Sequence, residues 1–291
     1  MKVIRTVEGL TRIIKEKKQL NRTIGFVPTM GYLHEGHVTL MDQCRKETDV
    51  VVVSIFVNPL QFGPNEDFER YPRDEERDAH LALSHGADIL FLPSMEEMYP
   101  STRSIEMTVV KRNDVLCGRS RQGHFDGVVT VLTKLFHLTQ ADVAYFGLKD
   151  AQQVAIVKGL IDDYNFPIKI RTIQTVRESD GLAKSSRNVY LTEEERNQAT
   201  NIYKSLLLAQ NSISEGNKNI DQIKEKMIGW IKQNTSATID YIEILDYPSL
   251  EQIETINKRT IIAIAVHFTN VRLIDNVIVN ENGDIIEKVF S

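Results

Sequence analysis

The sequence contains little cysteine. Cys44 and Cys117 are the only two, and they do not share a C-x-x-C spacing. A disulfide framework and a cysteine-built zinc site are both excluded on that count. A reduced, intracellular setting is the expectation. Long apolar runs are missing as well. The longest, at residues 50–53 and 261–266, are strand-sized, far below the length of a membrane span. The opening residues Met1-Lys2-Val3-Ile4-Arg5-Thr6 lack the apolar stretch of a signal peptide, so a cytoplasmic protein with no membrane partner is expected. There is no excess of positive charge either. The net charge is -5, which argues against nucleic acid as a partner but leaves room for a local basic pocket around a phosphorylated ligand. No internal repeat or low-complexity segment is visible. What is present is ordinary globular material: 291 residues, 42% hydrophobic and 26% charged, enough for one large domain or two medium ones.

The first half alternates helical and strand-like patterns. Residues 8–18, 37–45, 73–85, 128–138 and 150–164 read as helices. Residues 23–27, 50–57, 89–92, 143–146 and 168–176 read as strands, the first closed by Pro28. The β-branched run at 50–57 is the signature of a strand buried on both faces. This alternation predicts an α/β fold with a parallel sheet and helices on both sides. Beyond about residue 176 the texture changes. A long helix is predicted at 192–209, opened by a Thr192/Glu195 capping box, then a polar loop at 211–219 and a helix at 220–231. Three strand-like runs follow at 239–245, 260–268 and 272–279, with connections short enough for an antiparallel sheet. The chain is therefore expected to divide into residues 1–176 and a smaller α+β domain at 177–291.

Four segments carry candidate chemistry. Pro28-Thr29-Met30-Gly31-Tyr32-Leu33-His34-Glu35-Gly36-His37 leaves a strand and enters a helix. Gly31 and Gly36 allow close backbone approach, and the helix start favours an anion. His34 and His37, three apart, can point to one side and stabilise growing charge on phosphate. Two surface histidines are the plain alternative; a zinc site fails because the metalloprotease spacing is four. Gly147-Leu148-Lys149-Asp150 lies at a second strand-to-helix junction, where Lys149 can meet phosphate and Asp150 can simply cap the helix. Lys184-Ser185-Ser186-Arg187 forms a compact basic loop, either a polyanion clamp or a solvated turn. In the stretch from Phe56 to Pro64, Asn58 and Gln61 offer neutral donors and acceptors that suit a hydroxylated substrate; an ordinary Pro/Gly turn is the alternative.

Taken in order, these motifs resemble a known family. Pro-Thr-Met-Gly-x-Leu-His-x-Gly-His is similar to the His-x-Gly-His signature of the nucleotidyl-transferase superfamily, and Lys184-Ser185-Ser186-Arg187 stands where that superfamily has its second signature loop. The closer resemblance is to the pantoate–β-alanine ligases. It is carried by residues 28–37, Phe56 to Phe62, Tyr71-Pro72-Arg73, Gly123-His124-Phe125, Tyr145-Phe146-Gly147, Lys149-Asp150-Ala151-Gln152-Gln153 and residues 177–190. The resemblance implies a Rossmann-like, doubly wound parallel sheet with a lid-like C-terminal domain, and a homodimer. It implies that pantoate and ATP form pantoyl adenylate and pyrophosphate, and that β-alanine then yields pantothenate and AMP, with Mg2+ accompanying ATP.

Site roles follow by matching motif. Met30, Gly31, Tyr32, Leu33, His34, Glu35, Gly36 and His37 would line ATP, with Gly147, Leu148, Lys149, Asp150 and Val176 at adenosine and ribose. Lys184, Ser185, Ser186 and Arg187 would close on the triphosphate. His37, His34 and Lys149 would be catalytic, His37 as proton donor. Gln61, Gln153 and Asn58 would hold substrate, and Asp78 would help hold magnesium. Glutamines suit pantoate because its carboxylate is the nucleophile. Gripping the hydroxyls orients the acid and leaves the carboxylate free. Gln122 and Leu148 depart from the family pattern. The main rival is another nucleotidyltransferase with the same histidine loop, acting on a phosphate ester. A tRNA-binding module and a silent nucleotide sensor are further readings.

Overall fold

Valine at four successive positions explains the centre of the molecule. In the computed structural model, which describes residues 1–64 and 66–290, Val50 and Val52 point to one face of a sheet and Val51 and Val53 to the other. All four are buried, each contributing roughly 1.5–3 kcal/mol of transfer free energy. The sheet comprises β1 (Lys2–Ile4), β2 (Ile24–Thr29), β3 (Val50–Ile55), β4 (Ile89–Phe91), β5 (Val143–Gly147) and β6 (Lys169–Ile173). The order is β1-β4-β3-β2-β5-β6 and every neighbouring pair is parallel. One face is covered by α1 (Val7–Gln19), α6 (His124–Thr139) and α7 (Ala151–Asp163). The other is covered by α2 (Glu35–Glu47) and α3 (Glu75–Ser84). The expected doubly wound parallel sheet is the observed one.

The chain runs outward through β2, β3 and β4, then returns to place β5 on the opposite side of β2. The order reverses between β2 and β5. Ligands of open parallel sheets bind at such a switch point, beyond the carboxyl ends of the strands. The segments 30–37 and 147–150 leave β2 and β5 at that point.

The C-terminal part contains α8 (Glu193–Ser214), α9 (Ile220–Asn234) and the antiparallel strands β7 (Thr238–Asp246), β8 (Thr260–His267) and β9 (Arg272–Val279). Thr192 and Glu195 form the expected capping box. The three strands are buried on both faces. Ile242, Ile244, Ile262 and Ile264 pack on α8 and α9. Tyr241, Leu245, Ile261 and Ala263 join the core of the parallel sheet. That double burial is why these strands read as continuous apolar runs.

Several expected boundaries move. β2 continues through Pro28 to Thr29. Proline is accommodated because the pairing of β2 with β5 ends at Phe26, so no ladder on that side needs the missing N–H. α6 starts at His124 rather than residue 128, and α8 runs to Ser214 through part of the expected polar loop. Three short elements carry too little periodicity to be read: β1, α4 (Met95–Met98) and α5 (Leu116–Ser120).

Candidate active site

The loop after β2 is held from beneath. Gly31 adopts φ +88°, and a Cβ there would lie 2.8 Å from Ile55 Cγ2 and 3.1 Å from Asp78 Oδ2. Only glycine fits. Asp78, on α3 and 1% exposed, accepts from the Tyr32 N–H at 2.6 Å and the Leu33 N–H at 2.7 Å. Its carboxylate is thus occupied by backbone. Asp78 thereby acts as a strut for the loop. Among the described residues, no group of three His, Cys, Asp or Glu side chains is gathered to hold a metal.

The two histidines cap α2 reciprocally. His34 Nδ1 accepts from the Gly36 N–H at 3.1 Å, and His37 Nδ1 accepts from the His34 N–H at 3.3 Å. With both Nδ1 atoms acting as acceptors, the ring proton of each neutral imidazole sits on Nε2. The rings lie 4.0 Å apart at 34°. Burial, and then the charges of Lys149, Lys184 and Arg77, lower His34 to about 4. Burial and then His34 and Lys149 push His37 well below the usual range. Both rings are neutral Nε2–H donors near pH 7. The Gly31 N–H is also spent, on the Thr29 hydroxyl at 3.2 Å. The loop therefore offers a ligand its imidazoles and the start of α2, not the amides of Gly31, Tyr32, Leu33, His34 and Gly36. The surface-histidine reading fails, since both rings line a cavity of about 220 Å³. Met30 and Gly36 line it too, whereas the Leu33 side chain is fully buried in the core.

Beyond β5, Gly147, Lys149 and Asp150 face the same cavity. Leu148 does not: it is buried in the core, and only its backbone is near the site. Asp150 makes no side-chain cap to α7, so the simple capping alternative fails. Its carboxylate lies 3.5 Å from Lys149 Nζ. The adjacent glutamines diverge. Gln152 donates to Arg112 O at 2.7 Å and Val115 O at 2.8 Å and accepts from the Cys117 N–H at 2.9 Å. Gln153 lines the cavity.

The 3-10 turn Pro59–Gln61 separates Asn58 from Gln61 in the same way. Asn58 is 1% exposed. Its amide donates to Gly127 O at 3.0 Å and Gln61 Oε1 at 3.2 Å, and its Oδ1 accepts from the Tyr99 hydroxyl at 2.9 Å. Asn58 does not face the cavity, because its groups are consumed in holding the turn. Gln61 does face it, and its Nε2 points at Met30 Sδ, 3.0 Å away. A thioether is a weak acceptor, readily replaced by a substrate hydroxyl.

The loop at 184–187 closes over the first loop. Lys184 Nζ is 2.7 Å from Glu178 and 3.1 Å from Glu35, and these partners hold its pKa above the ordinary value, Glu178 most strongly. The Ser186 hydroxyl donates to Tyr32 O at 3.2 Å. Arg187 grips Asp67 through two bonds of 2.7 and 2.9 Å. Ser185, Ser186 and Val176 complete this wall. The basic loop does border the cavity, and its cations already have acidic partners. Sequence reading missed Arg121 and His124, which also line the cavity; the Gly-His-Phe motif was their only signal. A second cavity of about 460 Å³, facing the C-terminal sheet, shares Arg121, His124, Lys149, Asp150 and Gln153 with the first.

This arrangement can hold a nucleotide polyphosphate beside neutral imidazole donors, with the amides of Gln61 and Gln153 also facing the cavity. The comparisons with known proteins agree. The family model described as pantoate-beta-alanine ligase matches residues 2–278. The pantothenate synthetase of Geobacillus thermodenitrificans is 54% identical over 278 residues, covering 96% of each chain. That of a Bacillus cereus strain is 53% identical over 277 residues, covering 95% of this chain and 98% of its own. The crystal structure of pantothenate synthetase from Thermus thermophilus has a TM-score of 0.90 at 40% identity, covering 95% of this chain and 99% of that one. The pantoate-beta-alanine ligase of Francisella tularensis, crystallised with beta-gamma ATP and beta-alanine, has a TM-score of 0.79 at 35% identity, covering 95% and 97%. The chain belongs to the pantoate–β-alanine ligase family.

Proposed function

We propose that the chain joins pantoate to β-alanine in two steps within the cavity at the switch point. The pantoate carboxylate attacks the α-phosphorus of ATP, forming pantoyl adenylate as the bond to pyrophosphate breaks. The β-alanine amine then attacks the acyl carbon, and AMP leaves. The observation that carries this reading is the pairing of two neutral Nε2–H imidazoles, His34 and His37, with the cavity-facing amides of Gln61 and Gln153.

The roles follow from chemistry. Bound pantoate is held through its hydroxyls by Gln61 and Gln153, so its carboxylate keeps its nucleophilicity and gains orientation. His37 and His34 donate to the phosphate oxygens, where negative charge grows, and Lys149 adds a positive charge there. Gly147, Asp150 and Val176 suit the adenosine end, and the loop 184–187 suits the polyphosphate. When ATP arrives, Lys184 and Arg187 exchange carboxylate partners for phosphate oxygens, a trade between charge-assisted bonds of similar strength. Magnesium is proposed to enter with the ATP polyphosphate. The described residues build no carboxylate cage for it, and Asp78 is occupied. The division into residues 1–176 and 177–291, a homodimeric assembly and a cytoplasmic location complete the reading. Among the described residues no helix is long and apolar enough to cross a membrane.

The test is isotope exchange. Labelled pyrophosphate should enter ATP only when pantoate is present, and β-alanine should then release AMP. Absence of pantoate-dependent exchange, with AMP instead transferred to a phosphate ester, would establish the rival nucleotidyltransferase.

A further inference from the structure

We infer that His124 is the positioning residue of the acid subsite: by donating from Nδ1 to the Gln61 carbonyl, it fixes where the Gln61 amide meets pantoate. The inference rests on the reading that Gln61 holds that substrate.

The geometry forms one directed chain. Glu66 grips Arg121 through two bonds, to Nε at 2.8 Å and Nη2 at 2.5 Å. Arg121 Nη1 lies 3.0 Å from His124 Nε2. A guanidinium can only donate, so Nε2 is the acceptor and the ring proton is on Nδ1. Nδ1 lies 2.8 Å from the Gln61 carbonyl oxygen, which Arg121 Nη2 also approaches at 3.3 Å. His124 thus has the opposite tautomer to His34 and His37, set by a different neighbour. Burial, followed by the charge of Arg121, lowers its pKa to about 3, so this directionality persists at physiological pH.

The contact is placed to control the subsite. Gln61 ends a single 3-10 turn, and among the described residues its own side-chain bonds reach only Asn58 and the weak acceptor Met30. α6 presses directly on this turn. A Cβ on Gly127 would lie 2.3 Å from Leu60 O, and the Gly127 carbonyl accepts from Asn58. Through His124 and Gly127, α6 holds both ends of the turn. Loss of the His124 donor frees the carbonyl end, and the Gln61 side chain is the group displaced.

The experiment measures pantoate-dependent pyrophosphate exchange, and then the complete reaction, in folded wild type, His124→Ala, His124→Asn, His124→Gln and Glu66→Gln. Asparagine can place an N–H near the position of Nδ1, whereas glutamine reaches that of Nε2. The expected result is a pantoate KM raised about tenfold in His124→Ala and His124→Gln, as for one lost buried hydrogen bond. His124→Asn recovers most of it, and the ATP KM stays within about twofold throughout. Glu66→Gln, which leaves the histidine in place, gives a smaller rise in the same direction. An unchanged pantoate KM in both His124→Ala and Glu66→Gln overturns the inference. So does a rise confined to the β-alanine KM with exchange intact, which makes His124 a ligand of the amine. A wild type without pantoate-dependent exchange overturns the functional reading itself, a failure distinguishable from either.

Discussion

The two signature loops are built on opposite principles. In the loop at 30–37, Asp78 and the two histidine rings occupy the amides of Tyr32, Leu33, His34 and Gly36, and the groups offered to the cavity are neutral Nε2–H donors. In the loop at 184–187 the working groups are cations, held by Glu35, Glu178 and Asp67. The first loop is finished before ligand arrives. The second is balanced by charges that a polyphosphate can replace. Under the proposed reaction the contrast is a division of labour: rigid neutral donors where transition-state charge must be met without reorganisation, and exchangeable ion pairs where the ligand must enter and leave.

Four results can break or sharpen that contrast. The largest concerns His37. His37→Ala is expected to slow the adenylation half-reaction on the order of 10²–10³-fold, about 3–4 kcal/mol, as for loss of one oriented donor; near wild-type single-turnover rates would remove its role. Asp78→Asn places an amide where two backbone N–H groups need acceptors, costing about 1–3 kcal/mol of loop order. Adenylation should slow while the magnesium concentration dependence stays put, and a shifted magnesium optimum would restore Asp78 as a ligand. A smaller effect is expected in the second loop. Glu178→Gln removes a competitor for Lys184 and should lower the ATP KM by a few-fold, within the range of a partly exposed ion pair. A raised KM would show that Glu178 orients Lys184 rather than competing for it.

The smallest effect is an expected flatness. His34 stays neutral down to about 4, so the NMR signals of its imidazole should not titrate between about pH 7 and pH 5. A step near the ordinary histidine value would contradict the neutral assignment. Stability should behave differently. Below the unfolded value near 6.5 the unfolded chain takes up protons that folded His34 and His124 refuse, so acid favours unfolding. Stability is lost as pH falls, by up to about 1.4 kcal/mol per pH unit for each such histidine.

Much of this was readable in the chain. The valine run at 50–53 announced a doubly buried strand, and the glycine-histidine spacing announced a strand-to-helix loop at the sheet's ligand edge. The separation of working from supporting residues was not readable. Gln152 and Gln153 look alike in sequence, but the partners of Gln152 are main-chain groups of Arg112, Val115 and Cys117, brought in by a segment without periodicity. Asn58 and Gln61 differ for a similar reason, since Gly127 and Tyr99 claim Asn58. Asp78 is placed at magnesium by the resemblance alone, and as one of several acids at the start of α3 it carries no sign of the two amides it meets. Long-range polar partnership leaves no local pattern, whereas apolar burial does.

The central contrast is tested most directly by amide hydrogen exchange with and without ATP and pantoate. Peptides covering residues 30–37 should show the same strong protection in both states, while peptides covering residues 182–190 should gain protection when ligand binds. A first loop that orders only on binding, beside a second that does not respond, would contradict the account.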